Sequence, residues 1–259
     1  MRTRTRAQPP PGPAQHGSAA DGALLRTATA AWYQDGPGAP LLRLPWDAPR
    51  PAAECAHGGR GMPQAVLFDR DGTLVEDVPH NTDPARVRPR PHAEEALALL
   101  RASGVRAAVV TNQPDLGHGL LTLAQLDAVH ARMEELLGPV EVTAVCPHLP
   151  ADNCACRKPA PGLVHAACRT LGVAPGQAVV VGDIGTDLLA AHAAGAPGLL
   201  VPNEATLPQE TRAAPCTAGH LAGAVRTLLG IPARGEAGTA TGEGTAAGDA
   251  GPRPPGGPA

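Results

Sequence analysis

Between residues 62 and 230, short apolar runs alternate with longer amphipathic ones. The runs 65–68, 105–110, 140–145, 178–181 and 199–201 consist mostly of Val, Leu and Ala, and each ends in a polar or glycine-containing break. Short, nearly continuous apolar runs of this kind predict strands buried on both faces. The stretches 93–102, 122–137, 161–171, 186–194 and 217–229 have helical spacing. Their ends carry matching punctuation. Gly104 stops the first helix, and Thr122 with Gln125 forms a capping box for the second, which Gly138 and Pro139 close. Pro161 suits a first helical turn, and Gly195 ends the fourth helix. Strands separated by helices imply an α/β fold, a parallel sheet with helices on both faces. Such sheets bind ligands at the carboxyl ends of their strands.

The flanks read differently. Residues 1–61 are rich in Pro, Gly, Ala and Arg with little periodicity, and are expected to lack regular structure apart from a helical turn or two within 23–32. Met62, just before the first clear strand, is a candidate translation start. Residues 231–259 are again Gly, Pro, Ala and Thr and are expected to form a structureless tail, leaving 62–230 as the folded domain.

Composition narrows the function. One Phe, one Tyr and two Trp in 259 residues leave the core to Val, Leu and Ala. A formal net charge of -3 gives no footprint for nucleic acid or an anionic membrane, and too few aromatics are present for base stacking. A zinc-stabilised nucleic-acid-binding protein is therefore the weaker alternative to an enzyme. No apolar run approaches a membrane span, and the N-terminal arginines lead into Pro9, Pro10 and Pro11 rather than an apolar signal segment. The expectation is a cytoplasmic monomer whose six cysteines are reduced thiols or metal ligands.

Asp69-Arg70-Asp71-Gly72-Thr73 directly follows the first strand. Two carboxylates two residues apart can divide labour. One attacks phosphorus while ionised, and its neighbour holds a proton for the leaving oxygen, because adjacent carboxylates split their pKa values. Three further segments suit phosphoryl transfer. Thr111-Asn112-Gln113 follows a strand with a hydroxyl and two amides. Lys158, in Cys156-Arg157-Lys158-Pro159, offers a compact positive charge. Gly182-Asp183 with Asp187 follows another strand and offers carboxylates to a hard cation.

The four segments in this order resemble the haloacid dehalogenase superfamily over residues 65–202. The resemblance implies a Rossmann-like fold and a magnesium-dependent phosphomonoester hydrolase that works through an aspartyl-phosphate. Asp69 would be the nucleophile, and Asp71 the general acid and then the base. Thr111 and Lys158 would hold the phosphoryl oxygens. Mg²⁺ would sit on Asp69, the Asp71 carbonyl and Asp183, with Asp187 in support. The span from Thr73 to Thr111 is too short for a sizeable cap domain, so a capless form is expected.

Cys146-x-His148-x5-Cys154-x-Cys156 gathers three thiols and an imidazole just before Lys158. Four soft ligands with no open position predict a structural Zn²⁺ site. This loop is similar to that of the subgroup containing D-glycero-D-manno-heptose 1,7-bisphosphate 7-phosphatase and the histidinol-phosphatase domain. That similarity implies a small phosphorylated sugar or amino alcohol as substrate, with Asp77, His80, Asn112, Gln113 and Arg157 lining its pocket. The heptose-type sequence Thr-Asn-Gln-Ser-Gly-x-x-Arg-Gly is here Thr111-Asn112-Gln113-Pro114-Asp115-Leu116-Gly117-His118-Gly119, without the Ser, the first Gly and the Arg. Leu116-Gly117 and the short loop after Cys146 look more like histidinol-phosphatase. Segments 77–81, 119–122 and 182–185 look more like the heptose type. The heptose bisphosphate is the favoured substrate, and histidinol phosphate or another small sugar phosphate is the alternative.

Overall fold

The computed structural model describes residues 23–26, 30–34, 38–45 and 62–232. Five parallel strands make the centre of one sheet: β4 (Ala65–Phe68), β5 (Arg106–Asn112), β6 (Val142–Cys146), β7 (Ala178–Gly182) and β8 (Gly198–Leu200). Three antiparallel strands, β1 (Ala23–Arg26), β2 (Ala30–Gln34) and β3 (Leu41–Pro45), extend it at the β6 edge, giving an eight-stranded sheet of order β1-β2-β3-β6-β5-β4-β7-β8. The strand order reverses around β4, which pairs with β5 on one side and β7 on the other. That reversal opens a crevice at the carboxyl ends of β4, β5 and β7.

Helices α1 (Ala93–Ala102), α3 (Leu123–Leu137) and α7 (Leu221–Leu228) cover one face. They pack Leu97, Leu100, Val129, Met133 and Val225 against Val66, Phe68 and Val109. Helices α4 (Gly162–Leu171) and α5 (Gly185–Ala194) cover the other, packing Leu163, Val164, Ala167 and Ala190 against Leu67, Val110 and Val180. Adjacent residues of each strand serve opposite faces, which is why all four residues of β4 are buried. Helix α3 begins at the expected capping box: the Thr122 hydroxyl accepts from the Gln125 amide, and the Gln125 side chain accepts from the Thr122 amide.

Two short helices, α2 (Pro114–Gly117) and α6 (Pro208–Ala213), were not expected from the sequence. The N-terminal flank requires a larger correction. In place of a structureless stretch with a helical turn in 23–32, its described residues are strands β1, β2 and β3, with Leu41, Leu42 and Arg43 of β3 buried. Tertiary pairing decides this: β3 aligns Leu41, Leu42 and Arg43 with Val145, Ala144 and Thr143, an edge that a local reading of composition does not register. The expected tail lies, apart from residues 231–232, outside the described residues. No described helix is long and apolar enough to cross a membrane.

Candidate active site

Asp69 follows β4, Thr111 ends β5 and Asp183 follows β7, so the fold gathers all three in the crevice. All are buried, as is Lys158. The ammonium of Lys158 donates to Asp69 Oδ1 at 2.5 Å, to Asp187 Oδ1 at 2.7 Å and to the Val110 carbonyl at 2.9 Å. Burial opposes that charge, but Asp187 and Asp69 outweigh it and hold the lysine above its ordinary pKa. Burial pushes the Asp69 carboxyl well up. Lys158 offsets part of this, while Asp187, Asp71 and Asp183 add to it. Asp183 is likewise raised by burial, against hydrogen bonds from Thr73 (2.8 Å) and Asn203 (2.8 Å).

Carboxylate oxygens of Asp69, Asp183 and Asp187 lie within 4.8 Å of one another, all on buried residues. The Lys158 ammonium bonds two of these three carboxylates, and a hard divalent cation suits such an oxygen cluster. Gly72 makes room for it. Its φ is +80°, and a Cβ there would overlap Asp183 Oδ2. Asn203, which donates to the Gly72 carbonyl (2.9 Å) as well as to Asp183, stitches the loops after β4, β7 and β8 together. Thr206 donates to the Asp183 carbonyl at 2.6 Å. Asn203 and Thr206 carried no sequence signal, since only the fold brings them to this cluster.

Asp71 faces a different set. Arg70 grips its carboxylate through Nε and Nη2 at 2.9–3.1 Å, and Gln113 Nε2 donates to Asp71 Oδ2 at 2.8 Å and to the Thr111 hydroxyl at 2.9 Å. Asp77 is raised by burial and then by the nearby Asp71 charge, which brings the loop after β4 back beside the crevice. His80, at φ +53° and largely exposed, pairs with Asp115 at 2.9 Å and so joins that loop to the one after β5. Asn112 ends β5 beside the lysine loop. Its amide brackets the Lys158 main chain, accepting from Lys158 N at 3.1 Å and donating to Lys158 O at 3.2 Å, and so helps to fix the lysine. Arg157 lines a cleft of about 360 Å³ with Pro150, Asn153, Cys154 and Lys158, and its guanidinium reaches the His148 carbonyl at 3.4 Å.

The four expected zinc ligands converge. Cys146 Sγ is 3.2 Å from Cys156 Sγ, Cys154 Sγ is 3.6 Å from both, and His148 Nδ1 lies 3.2 Å from Cys156 and 3.5 Å from Cys146. Zn–S and Zn–N bonds of about 2.3 and 2.0 Å separate tetrahedral ligand atoms by about 3.5–3.8 Å, close to these spacings. A hydrogen bond from Cys156, with further ones from the His148 backbone and side chain, pulls the Cys146 thiol down to about 5 despite its burial, so the loop favours a thiolate there. The backbone amide of Arg157 points at Cys154 Sγ (3.3 Å), which ties the cluster directly to the residue before Lys158.

The chain is 38% identical over 143 residues to the D-glycero-beta-D-manno-heptose-1,7-bisphosphate 7-phosphatase of Pseudomonas aeruginosa, a match covering 52% of this chain and 79% of that enzyme. It belongs to the haloacid dehalogenase-like phosphatases. The HAD-hydrolase-like family model matches residues 155–228, from the cysteine loop to α7. A phosphatase of the same name from Mesorhizobium japonicum is 33% identical over 165 residues, 58% of this chain and 76% of the relative. Among solved structures, the D,D-heptose 1,7-bisphosphate phosphatase of Bordetella bronchiseptica, complexed with magnesium and phosphate, superposes with a TM-score of 0.59 at 31% identity, covering 64% of this chain and 98% of that one. The phosphatase fold is thus the α/β type expected. The segment between Thr73 and Thr111 holds turns, one 3-10 turn and α1 among its described elements, with no inserted cap domain.

Proposed function

We propose that this phosphatase removes the 7-phosphate of D-glycero-D-manno-heptose 1,7-bisphosphate through an aspartyl-phosphate on Asp69. The observation that carries the reading is the buried array of Asp69, Lys158, Asp187 and Asp183 in a chain similar to named heptose bisphosphate phosphatases. A carboxylate oxygen of Asp69 attacks phosphorus, and the bond to the sugar oxygen breaks. Asp71 gives that oxygen its proton, then takes one from the water that hydrolyses the acyl phosphate, returning Asp69 to its carboxylate. Lys158, on giving up its bond to Asp69, and the Thr111 hydroxyl would hold phosphoryl oxygens. Mg²⁺ would be held by Asp69, Asp183 and the Asp71 carbonyl, and would supply charge neutralisation between the dianionic phosphate and the attacking carboxylate. Zn²⁺ on Cys146, His148, Cys154 and Cys156 would have a structural part only, fixing Arg157 and Lys158. Thiolate ligands suit a reducing compartment, in keeping with a cytoplasmic enzyme.

The His80–Asp115 pair favours a second reading. A carboxylate on the loop after β5, where the heptose-type pattern has Gly, suits a cationic amine better than a second phosphate, as in histidinol phosphate. The test is phosphate release by the purified chain from both anomers of the heptose bisphosphate, from histidinol phosphate and from other sugar phosphates, with and without Mg²⁺. The expected result is the highest kcat/KM for a heptose bisphosphate, dependence on Mg²⁺ and no turnover by Asp69→Asn. Turnover by that variant would overturn the mechanism, and a preference for histidinol phosphate would overturn the substrate alone.

A further inference from the structure

We propose that Arg43, on the strand β3 that precedes the phosphatase domain, is a positioning residue for Asp71, acting through α3, His130 and Arg70. The inference rests on the acid–base reading of Asp71. Arg43 is 2% exposed, and its guanidinium bonds Asp127 Oδ1 at 2.7 Å and Glu134 Oε2 at 2.8 Å. Asp127, His130 and Glu134 follow one another at three- and four-residue spacing, so they share one face of α3. Fully buried His130 presents Nε2 to Arg70 Nη1 at 3.4 Å, and the other nitrogens of Arg70 grip Asp71. The Arg70 guanidinium is therefore held at two ends, by a carboxylate and by an imidazole.

A guanidinium only donates, so His130 Nε2 must accept and the ring must be neutral. Burial first, then the charges of Arg70 and Arg43, keep it so. Arg43 has a second effect, because it occupies Asp127 and Glu134. Removing one partner of a buried ion pair leaves an uncompensated charge that seeks another. Arg70 brings a second guanidinium to this side of α3, and His130 is a proton acceptor on the same face. If the freed carboxylates draw in Arg70, it leaves Asp71. If they hold a proton on His130, the ring no longer accepts from Arg70. Both routes release Asp71. The flank meets the site a second time where Gly38, just before β3, turns its carbonyl toward Cys156 Sγ at 3.8 Å.

Leaving groups provide the test. Phosphoryl transfer to Asp69 needs a proton from Asp71 when a sugar alkoxide departs, and needs none when nitrophenolate departs, and kcat/KM reports that step. In the full chain, Arg43→Met is expected to lower kcat/KM by about 10–100-fold for heptose bisphosphate and by less than about 3-fold for p-nitrophenyl phosphate. Arg43→Lys should recover part of the loss. In an Asp71→Asn background, Arg43→Met should have no further effect on the sugar phosphate. Equal losses on both substrates, no loss on either, or additive losses with Asp71→Asn would overturn the proposal. If Arg43→Met does not fold, His130→Leu, which removes the acceptor while keeping the ion pair, is expected to give the same selective loss, and an unselective one would overturn it equally. If Asp71→Asn alone spares the sugar phosphate, the acid–base reading fails, a result distinct from failure of Arg43 to act through it.

Discussion

Lys158 Nζ stands 2.5 Å from Asp69 Oδ1, and both groups are buried. An ammonium has three protons, and here Asp69, Asp187 and the Val110 carbonyl take them all. Asp187 thus holds the lysine beside Asp69, the proposed nucleophile. Asp187→Ala is expected to lower kcat by about 10–100-fold and to destabilise the chain by about 3 kcal/mol, since it leaves part of a buried charge without its partner. Steady-state kinetics and chemical denaturation of the same variant check both numbers.

Asn203 acts on the opposite side of the cluster. It donates to Asp183 and to the Gly72 carbonyl from a loop that touches no other part of the proposed chemistry. Asn203→Ala should raise the Mg²⁺ concentration for half-maximal activity by about 10–100-fold while leaving kcat at saturating Mg²⁺ within a few-fold of the parent. Activity measured across a Mg²⁺ titration separates the two.

Gly72 has two constraints at once, a left-handed backbone and Asp183 where a Cβ would go. Gly72→Ala is expected to cost about 1–2 kcal/mol in backbone strain and to displace Asp183, so that activity falls far more than stability does. Phosphate release compared with the melting temperature measures this disproportion.

Loss of the proposed zinc from the cysteine loop should act at a distance. Cys154→Ser, or a strong chelator at a Mg²⁺ excess, is expected to release one zinc per chain by elemental analysis. The melting temperature should drop by several degrees, and phosphatase activity should disappear, because the peptide carrying Arg157 and Lys158 loses its anchor.

His130 gives a pH dependence with a definite sign. Its folded pKa is depressed well below 6.5 by burial, Arg70 and Arg43, so below that pH the unfolded chain binds the proton that the folded one refuses. The histidine's contribution is therefore full above the unfolded pKa and is lost as pH falls below it, by up to about 1.4 kcal/mol per pH unit. Denaturation of the parent and of His130→Gln from pH 7.5 to 5 should diverge in slope over that window, the parent losing more stability. Parallel slopes would contradict the depressed pKa.

Much of the site could be read without coordinates, for a physical reason. Strands of a parallel sheet are continuous apolar runs, so their ends are visible, and this fold puts its chemistry at those ends. Asp69, Thr111 and Asp183 are conspicuous as the first polar groups after such runs. The cysteine loop was legible because metal geometry restricts ligand spacing to a short stretch. Asn203, Arg43 and His130 were not, since each meets its partners only through folding: Arg43 and Asp127 are 84 residues apart, Asn203 and Gly72 are 131. Strands β1, β2 and β3 were missed for the same reason. Their apolar residues lie among Pro, Gly and Arg, and they take their place from β6, about a hundred positions later. Nor did the sequence show that the Asn112 amide, which the resemblance assigns to the pocket, also bonds the Lys158 backbone 46 residues later.

Cys146, Cys154 and Cys156 stand within ten residues of one another and immediately ahead of the lysine that pairs with Asp69. Peroxide or an electrophile that modifies one of these sulfurs would loosen the lysine's tether while every aspartate stayed intact. A reductant supplied with zinc would then restore turnover after reversible oxidation, and would not after alkylation.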